Sequence, residues 1–102
     1  MAAFCNAPDE ETARDIARRL INGRLAACVN ILTPCASVYR WQGKIEEEKE
    51  TPMLIKTIPE KVPALREAIT RWHPFDTPEL IILPITDGLP DYLKWLREEC
   101  EE

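Results

Sequence analysis

The sequence of 102 residues predicts an α+β fold in which two helices cover one face of an antiparallel sheet. Two observations predict it. Segments with strand patterns and segments with helical periodicity follow one another in the order strand, helix, strand, strand, helix, strand, with a further short helix at the C-terminal end. The two central strands form a hairpin that is far longer than an ordinary loop. This order is that of the ferredoxin-like βαββαβ fold, formed as a single domain over residues 1–102.

The first half begins with a short apolar strand over Ala2–Asn6 and continues into a helix. Asp9 is placed to cap that helix, and the acidic residues that follow it suit the positive end of the helix dipole. Gly23 is placed to end the helix. The helix face that is expected to pack on the sheet has apolar residues at helical spacing, namely Ala13, Ile16, Ala17, Leu20 and Ile21.

A buried strand over Leu25–Ile31 is predicted to run across Pro34 into a long hairpin that turns at Gln42–Gly43. A strand of about 12 residues spans roughly 40 Å, whereas a domain of about 100 residues has a radius of gyration of about 13 Å. We therefore expect the hairpin to extend beyond its own core. Because Tyr39 and Trp41 on such an extension need a partner surface, the chain is expected to self-associate.

Prolines mark the element boundaries in the second half of the chain. Pro52 falls within the returning strand of the hairpin, where a missing N–H predicts a bulge or a locally unpaired stretch. Pro59 opens the second helix, and His73–Pro74 ends it. Glu79–Thr86 is predicted to be the last strand, and Pro90 begins the short C-terminal helix.

The chain has 18 acidic and 13 basic residues and a net charge of −5, so it lacks the basic patch that a nucleic-acid-binding protein needs. No apolar stretch approaches the ~20 residues of a membrane-spanning helix, and no signal peptide is visible. The four cysteines, Cys5, Cys28, Cys35 and Cys100, form no Cys-x-x-Cys pair, so neither a disulfide framework nor a structural zinc site is predicted. We expect reduced thiols and a cytoplasmic location.

Nearly the whole chain resembles the CutA divalent-cation-tolerance family. The matching segments, in the family's order, are Asn6–Asp9, Arg24–Ile31, Ser37–Glu46, Leu54–Thr57, His73–Glu79, Leu83–Ile85 and Tyr92–Leu96. The resemblance implies a trimer similar in architecture to the PII signalling proteins, with long hairpins that clasp neighbouring subunits. It also implies a link to divalent metal ions, copper above all, and to cation tolerance. No established catalytic reaction comes with it.

His73 is the only histidine in the chain, and it is the candidate metal ligand together with Cys5. In the predicted topology, the end of the first strand and the end of the second helix lie at the same end of the sheet. A thiolate with an imidazole suits copper or zinc rather than magnesium or calcium. Trp72 stands where some CutA proteins have a second histidine, which weakens an inherited copper site. The alternative is that His73 caps the helix and Cys5 packs in the core.

A second candidate site is a cleft between subunits of the expected trimer. Lys56 is the one charged residue in an otherwise apolar strand end, so it is expected to extend to solvent or to pair with a carboxylate. Such a cleft would recognise a small anion, and the alternative is an ordinary interface rim. The residues expected to line it are Tyr39, Trp41, Glu46, Lys56, Glu79 and Trp95.

We predict a homotrimer that binds copper or another divalent metal ion, without an organic cofactor, and contributes to cation tolerance. The alternative is a PII-like signalling or interaction module that binds a small anion or a partner protein in the intersubunit cleft. No arrangement of nucleophile, base and orienting residue can be assembled, and the three glycines provide no phosphate-binding loop. An enzyme that uses His73 as an acid or base is therefore the least favoured hypothesis.

Overall fold

Five strands and three α-helices make up the structure, a computed structural model that describes residues 1–101. The strands are β1 (Ala2–Ala7), β2 (Cys28–Ile31), β3 (Cys35–Trp41), β4 (Lys44–Lys56) and β5 (Leu80–Leu83). The helices are α1 (Glu10–Asn22), α2 (Val62–Trp72), which follows a short 3-10 turn at Pro59–Lys61, and α3 (Pro90–Cys100). Neighbouring strands are antiparallel in the order β2-β4-β1-β5, and β3 pairs with β4. The predicted α+β fold is confirmed.

The core lies between the sheet and the helices α1 and α2. Alternate residues of β1 and β4 face it, and Cys5, Met53 and Ile55 are fully buried there. The helices contribute buried aliphatic side chains, namely Ile16, Leu20, Leu65 and Ile69. Each side chain of this kind contributes about 1.5–3 kcal/mol when it is removed from water. α3 packs in a separate small cluster, which contains Ile58, Leu96 and Cys100.

The helix ends confirm the boundaries that single residues predicted. The Asp9 carboxylate accepts a hydrogen bond from the Thr12 N–H (2.7 Å) and caps α1, which ends at Gly23. α2 ends because His73 is extended, the conformation favoured for a residue that precedes proline. Within residues 1–101, no helix has the length and apolar character that a membrane span needs.

The long hairpin extends beyond the rest of the sheet, as predicted. Residues 51–56 of β4 pair with β1, whereas residues 44–50 pair with β3. The longest dimension of the chain is 45 Å, against 26 and 22 Å in the other two directions. Gln42 and Gly43 have φ angles of 51° and 80°. Positive φ at both central residues is the geometry of a two-residue type I′ turn, which matches the twist of the flanking strands.

The irregularity expected at Pro52 lies in the opposite strand. β4 is continuous through Pro52, which is paired with Asn6 of β1. On its other side, the Pro52 carbonyl accepts a hydrogen bond from the Leu32 N–H (2.9 Å). In an antiparallel sheet, the backbone N–H and C=O of one residue point towards the same neighbouring strand. The N–H that Pro52 lacks would therefore point towards residues 32–34, where the neighbouring strand is interrupted. The single strand predicted to run from Leu25 across Pro34 is therefore two strands, β2 and β3.

The last strand, β5, is shorter than the predicted Glu79–Thr86. Its final pair joins Leu83 to Ala2, the first residue of β1, and Pro84 follows. Proline cannot donate to a ladder, so the strand ends there. At the other end, β5 begins after Glu79.

Candidate functional site

Four residues meet at the edge of the sheet where β1 ends and α2 ends. The Asn6 side-chain amide donates to Glu79 Oε1 (3.0 Å), and the His73 ring donates from Nε2 to the backbone carbonyl of Asn6 (2.6 Å). Cys5 Sγ lies 3.9 Å from the same carbonyl oxygen. The structure therefore places both predicted metal ligands, Cys5 and His73, around one atom.

The hydrogen bonds of His73 define its tautomer. The Phe75 N–H donates to Nδ1 (3.1 Å), so Nδ1 carries no proton and Nε2 donates its proton to Asn6. The imidazole is buried, and its centroid lies 4.7 Å from that of the Phe75 ring. Because both ring nitrogens have partners, a metal ion at His73 must displace one of these hydrogen bonds.

Cys5 packs on the core face of β1 and is 0% exposed. Burial raises the pKa of its thiol to about 12, and the negative charges of Glu79 and Glu50 act in the same direction. A thiol must lose its proton before it binds a metal ion, so burial opposes metal binding at Cys5 near neutral pH. In the described part of the chain, no three His, Cys, Asp or Glu side chains form a group that could hold a metal ion. The site formed by Cys5 and His73 stays a prediction.

An open cleft of about 470 Å³ lies beside these residues, between the hairpin and the loop that follows α2. It contains three residues of the predicted intersubunit site, Tyr39, Trp41 and Glu79. Three carboxylates line it, and among residues 1–101 no basic side chain does. Such a lining attracts cations rather than anions. The full lining is Asn6, Tyr39, Trp41, Glu50, Pro74, Phe75, Asp76, Thr77 and Glu79.

Asn6 presents a buried acceptor without a donor. The residue is 7% exposed, and its Nδ2 is engaged by Glu79. Its Oδ1 is buried and has no hydrogen-bond partner within residues 1–101. If the Asn6 amide were flipped, Oδ1 would lie beside the Glu79 carboxylate and two acceptor oxygens would face each other. The hydrogen bond from Nδ2 to Glu79 therefore fixes the orientation of the Asn6 amide. Leaving a buried carbonyl unpaired costs about 1–3 kcal/mol. A hydrogen-bond donor or a cation that reached this oxygen would remove that cost.

The hairpin brings a line of carboxylates towards the cleft. Glu46, Glu48 and Glu50 alternate along β4 and share the face on which Tyr39 lies, whereas Glu47 lies on the opposite face. Partial desolvation, followed by the charges of these three carboxylates, raises the pKa of Tyr39. The acidic run therefore concentrates negative charge on the face of the hairpin that forms the cleft.

Lys56 and Trp95 lie away from this cleft within one chain. Lys56 is paired at the far end of β1, and its Nζ lies 5.8 Å from the centroid of the Tyr92 ring. Tyr92 in turn lies 5.5 Å from Trp95. Glu46 lies on the hairpin. An anion site that combines Lys56 with the cleft therefore requires a second subunit.

Six of the nine cleft residues lie outside the sites predicted from the sequence, among them Asn6, Glu50 and Asp76. Asn6 ends an apolar strand, and a polar residue in that position is a usable signal. Glu50 follows Glu46 and Glu48 at the strand period of two, which also indicates a shared face. No sequence pattern indicates that Asp76 lines the cleft. Asp76 lies in a loop whose path depends on the hydrogen bond from the Phe75 N–H to His73 Nδ1.

The sequence matches the family described as "CutA1 divalent ion tolerance protein" over residues 1–99. It is 48% identical over 91 residues to the divalent-cation tolerance protein CutA of Thermus thermophilus, and the match covers 89% of this chain and 88% of that protein. It is 46% identical over 100 residues to protein CutA of Mus musculus, a match that covers 98% of this chain and 56% of the mouse protein. The chain therefore spans about half of the mouse relative and most of the bacterial one.

Solved structures of similar proteins have the same fold. The periplasmic divalent cation tolerance protein CutA from Archaeoglobus fulgidus superposes with a TM-score of 0.95 at 40% identity, covering 98% of this chain and 97% of that one. CutA from Xylella fastidiosa superposes with a TM-score of 0.95 at 42% identity, covering 98% of this chain and 96% of that one. The likeness extends over the sheet, the helices and the hairpin together.

Proposed function

The chain belongs to the CutA1 divalent ion tolerance family, and we propose that it takes part in divalent-cation tolerance by binding cations in the cleft beside Asn6. The observation that carries this proposal is the lining of the cleft, which includes the Glu79 carboxylate and, among residues 1–101, no basic side chain. Glu50 and Asp76 add two carboxylates to the same cleft. Oxygen donors of this kind bind hard divalent cations such as Mg²⁺ and Mn²⁺.

The bound ion keeps part of its water shell in this proposal. Within residues 1–101 no three ligating side chains converge on one point. Mg²⁺ commonly binds through one or two carboxylates and retains several waters, and the open cleft leaves room for them. The affinity is therefore expected to be modest and to fall as salt screens the carboxylates. The protein carries out no covalent chemistry in this role.

Glu79→Gln is expected to weaken Mn²⁺ binding about tenfold or more, because it removes the charge beside Asn6 Oδ1 while preserving the shape of the side chain. The measurement is the electron paramagnetic resonance signal of free Mn²⁺ during a titration of the metal-free protein. Glu47→Gln is the matched control, since it removes the same charge from the opposite face of the hairpin. Equal weakening by both variants would show general electrostatic attraction and would contradict a site in the cleft.

Copper(I) at Cys5 and His73 is the second candidate, because both side chains contact the Asn6 carbonyl. A second arm of the titration replaces Mn²⁺ with copper(I) against a competing chelator, in reduced protein. Loss of copper(I) binding in Cys5→Ser, with Mn²⁺ binding unchanged, would favour this candidate. If Cys5→Ser changes neither titration, the cleft remains as the cation site.

We also propose that the chain assembles as a homotrimer, as membership of the family suggests. The face of the sheet opposite the core is largely apolar, with Phe4 and Leu54 half-buried and Ile81 and Leu83 exposed. The extended hairpin also exposes Trp41, and contiguous exposed apolar surface often marks an interface between proteins. A second and a third copy of the chain are the proposed occupants. The cytoplasmic location stays a prediction.

Trp41→Ala is expected to dissociate the trimer on dilution while leaving the fold of each subunit intact. Trp41 is 47% exposed in one chain and lies outside the core, so its packing is available to a neighbour. Buried tryptophan anchors at interfaces often contribute about 2 kcal/mol or more. Analytical ultracentrifugation over a dilution series measures the effect, with Ile21→Ala on α1 as the control. A Trp41→Ala protein that stays trimeric at every concentration would place the anchor elsewhere.

A further inference from the structure

We infer that α3 is a hinged lid, which opens as one unit while the sheet and the helices α1 and α2 stay folded. The lid lies at the end of the sheet opposite Asn6, because Tyr92 of α3 contacts Lys56, and Lys56 pairs with the far end of β1. The inference is therefore independent of the proposed cation site. A small apolar seat, exposed ion pairs and a cavity beside the helix support it.

The seat on which α3 rests is small and separate from the main core. It consists of Ile58, Leu96 and Cys100, with Ala27 partly buried beside them. Leu96 and Cys100 are the only buried residues of the 11 in α3. Because an isolated helix of this length is marginal in water, α3 depends on this seat for its structure. A unit with few buried apolar contacts opens at a lower free energy than the core does.

The ion pairs that hold α3 to the rest of the chain lie on the surface. Arg97 donates to Glu60 Oε2 in the 3-10 turn (2.5 Å). At the other end of α3, Arg24 Nη1 donates to the Glu99 carbonyl (3.0 Å). The four side chains are 47–59% exposed. Ion pairs that are this exposed contribute little to stability, since water and salt replace them readily.

A cavity of about 240 Å³ lies beside one flank of α3. Leu93, Leu96 and Arg97 form its wall on the α3 side, and Ile85 lies among the residues that line the rest of it. On this flank, open space separates α3 from its neighbours, so few side-chain contacts break when the helix moves. The segment 84–89, which leads into α3, has neither helix nor strand. It provides the hinge about which α3 swings to open the cavity.

The test is hydrogen–deuterium exchange of the assembled wild-type protein, resolved by residue with nuclear magnetic resonance. After correction for intrinsic rates, the amides of Leu93–Cys100 are expected to share one rate, at least about thirtyfold faster than that of β1. Leu96→Ala is expected to raise the α3 rate about tenfold or more, because it removes much of the seat. Arg97→Gln is expected to raise it about threefold. Arg14→Gln breaks an equally exposed pair with Glu10 on α1 and is the matched control, expected to leave the α3 rate unchanged.

Two patterns of exchange would overturn the inference. Equal rates in α3 and β1 would show that α3 opens only when the whole chain unfolds. Rates that rise steadily along the helix towards Cys100 would show fraying of one end instead of opening as a unit. An equal effect of Arg97→Gln and Arg14→Gln on the α3 rate would also contradict it, because the Glu60 pair would then have no part in closing the lid.

Discussion

Raising the pH from 9 towards 12 is expected to destabilise the folded protein by up to about 4 kcal/mol through Cys5 alone. Burial, with smaller contributions from the charges of Glu79 and Glu50, raises the pKa of this thiol from its ordinary value of 9.0 to about 12. Below pH 9 the thiol is protonated in both the folded and the unfolded chain, and the full stability is present. Between pH 9 and pH 12 only the unfolded chain releases the proton, so unfolding becomes progressively easier. Three pKa units correspond to about 4 kcal/mol.

Urea unfolding of the wild type and of Cys5→Ala at a series of alkaline pH values measures this contribution. Cys5→Ala is expected to lower the free energy of unfolding by a constant amount below pH 9 and to show a shallower alkaline decline. Other groups that titrate in this range are present in both proteins and cancel in the difference. Cys28→Ala removes a half-buried thiol and serves as the matched control for the loss of one cysteine. Parallel curves for the wild type and Cys5→Ala would show that the thiol becomes accessible without unfolding.

His73→Ala is expected to lower the free energy of unfolding by about 3 kcal/mol. The imidazole is buried and joins the Asn6 carbonyl of β1 to the Phe75 N–H of the loop that follows α2. Its removal leaves the buried Asn6 carbonyl with only the weak contact of the Cys5 thiol, and it leaves the partly buried Phe75 N–H without its partner. An unpaired buried group costs about 1–3 kcal/mol, and the lost ring also leaves a void. Chemical denaturation at neutral pH measures the loss.

His73→Gln serves as the rescue variant, because its side-chain amide has both a donor and an acceptor and can restore one of the two hydrogen bonds. We expect it to recover about half of the loss. A loss below about 1 kcal/mol in His73→Ala would mean that water replaces both partners of the ring. The same variants test the cleft, since Phe75 and Asp76 belong to the loop that the imidazole holds in place.

The two predictions share a consequence for metal chemistry. Each of the two predicted metal ligands already has a structural role, Cys5 in the core and His73 between β1 and the loop. A soft metal ion must displace a proton and a hydrogen bond there. Asn6 Oδ1 has no such partner within residues 1–101, and Glu50 and Asp76 add negative charge to the cleft, which is why we place the proposed cation site there.

Much of the fold could be predicted because its signals are local. Asp9 caps α1 with its own carboxylate, Gln42–Gly43 forms a two-residue turn, and His73–Pro74 ends α2, all within a few residues of chain. The break at residues 32–34 was missed because it depends on contact between distant residues. Pro52 faces that break from another strand, so the run of apolar residues towards Pro34 could not show it.

The sequence by itself determined the family, the order of the elements, the overhanging hairpin and the end of the sheet at which Cys5 and His73 lie. These follow from periodicity, turn chemistry and strand direction, which neighbouring residues encode. Only the tertiary structure decided which polar atoms have partners. Both nitrogens of His73 are engaged, whereas Asn6 Oδ1 is left without a partner in residues 1–101. Hydrogen bonding and desolvation at such atoms depend on residues that are distant in sequence and adjacent only in the folded chain.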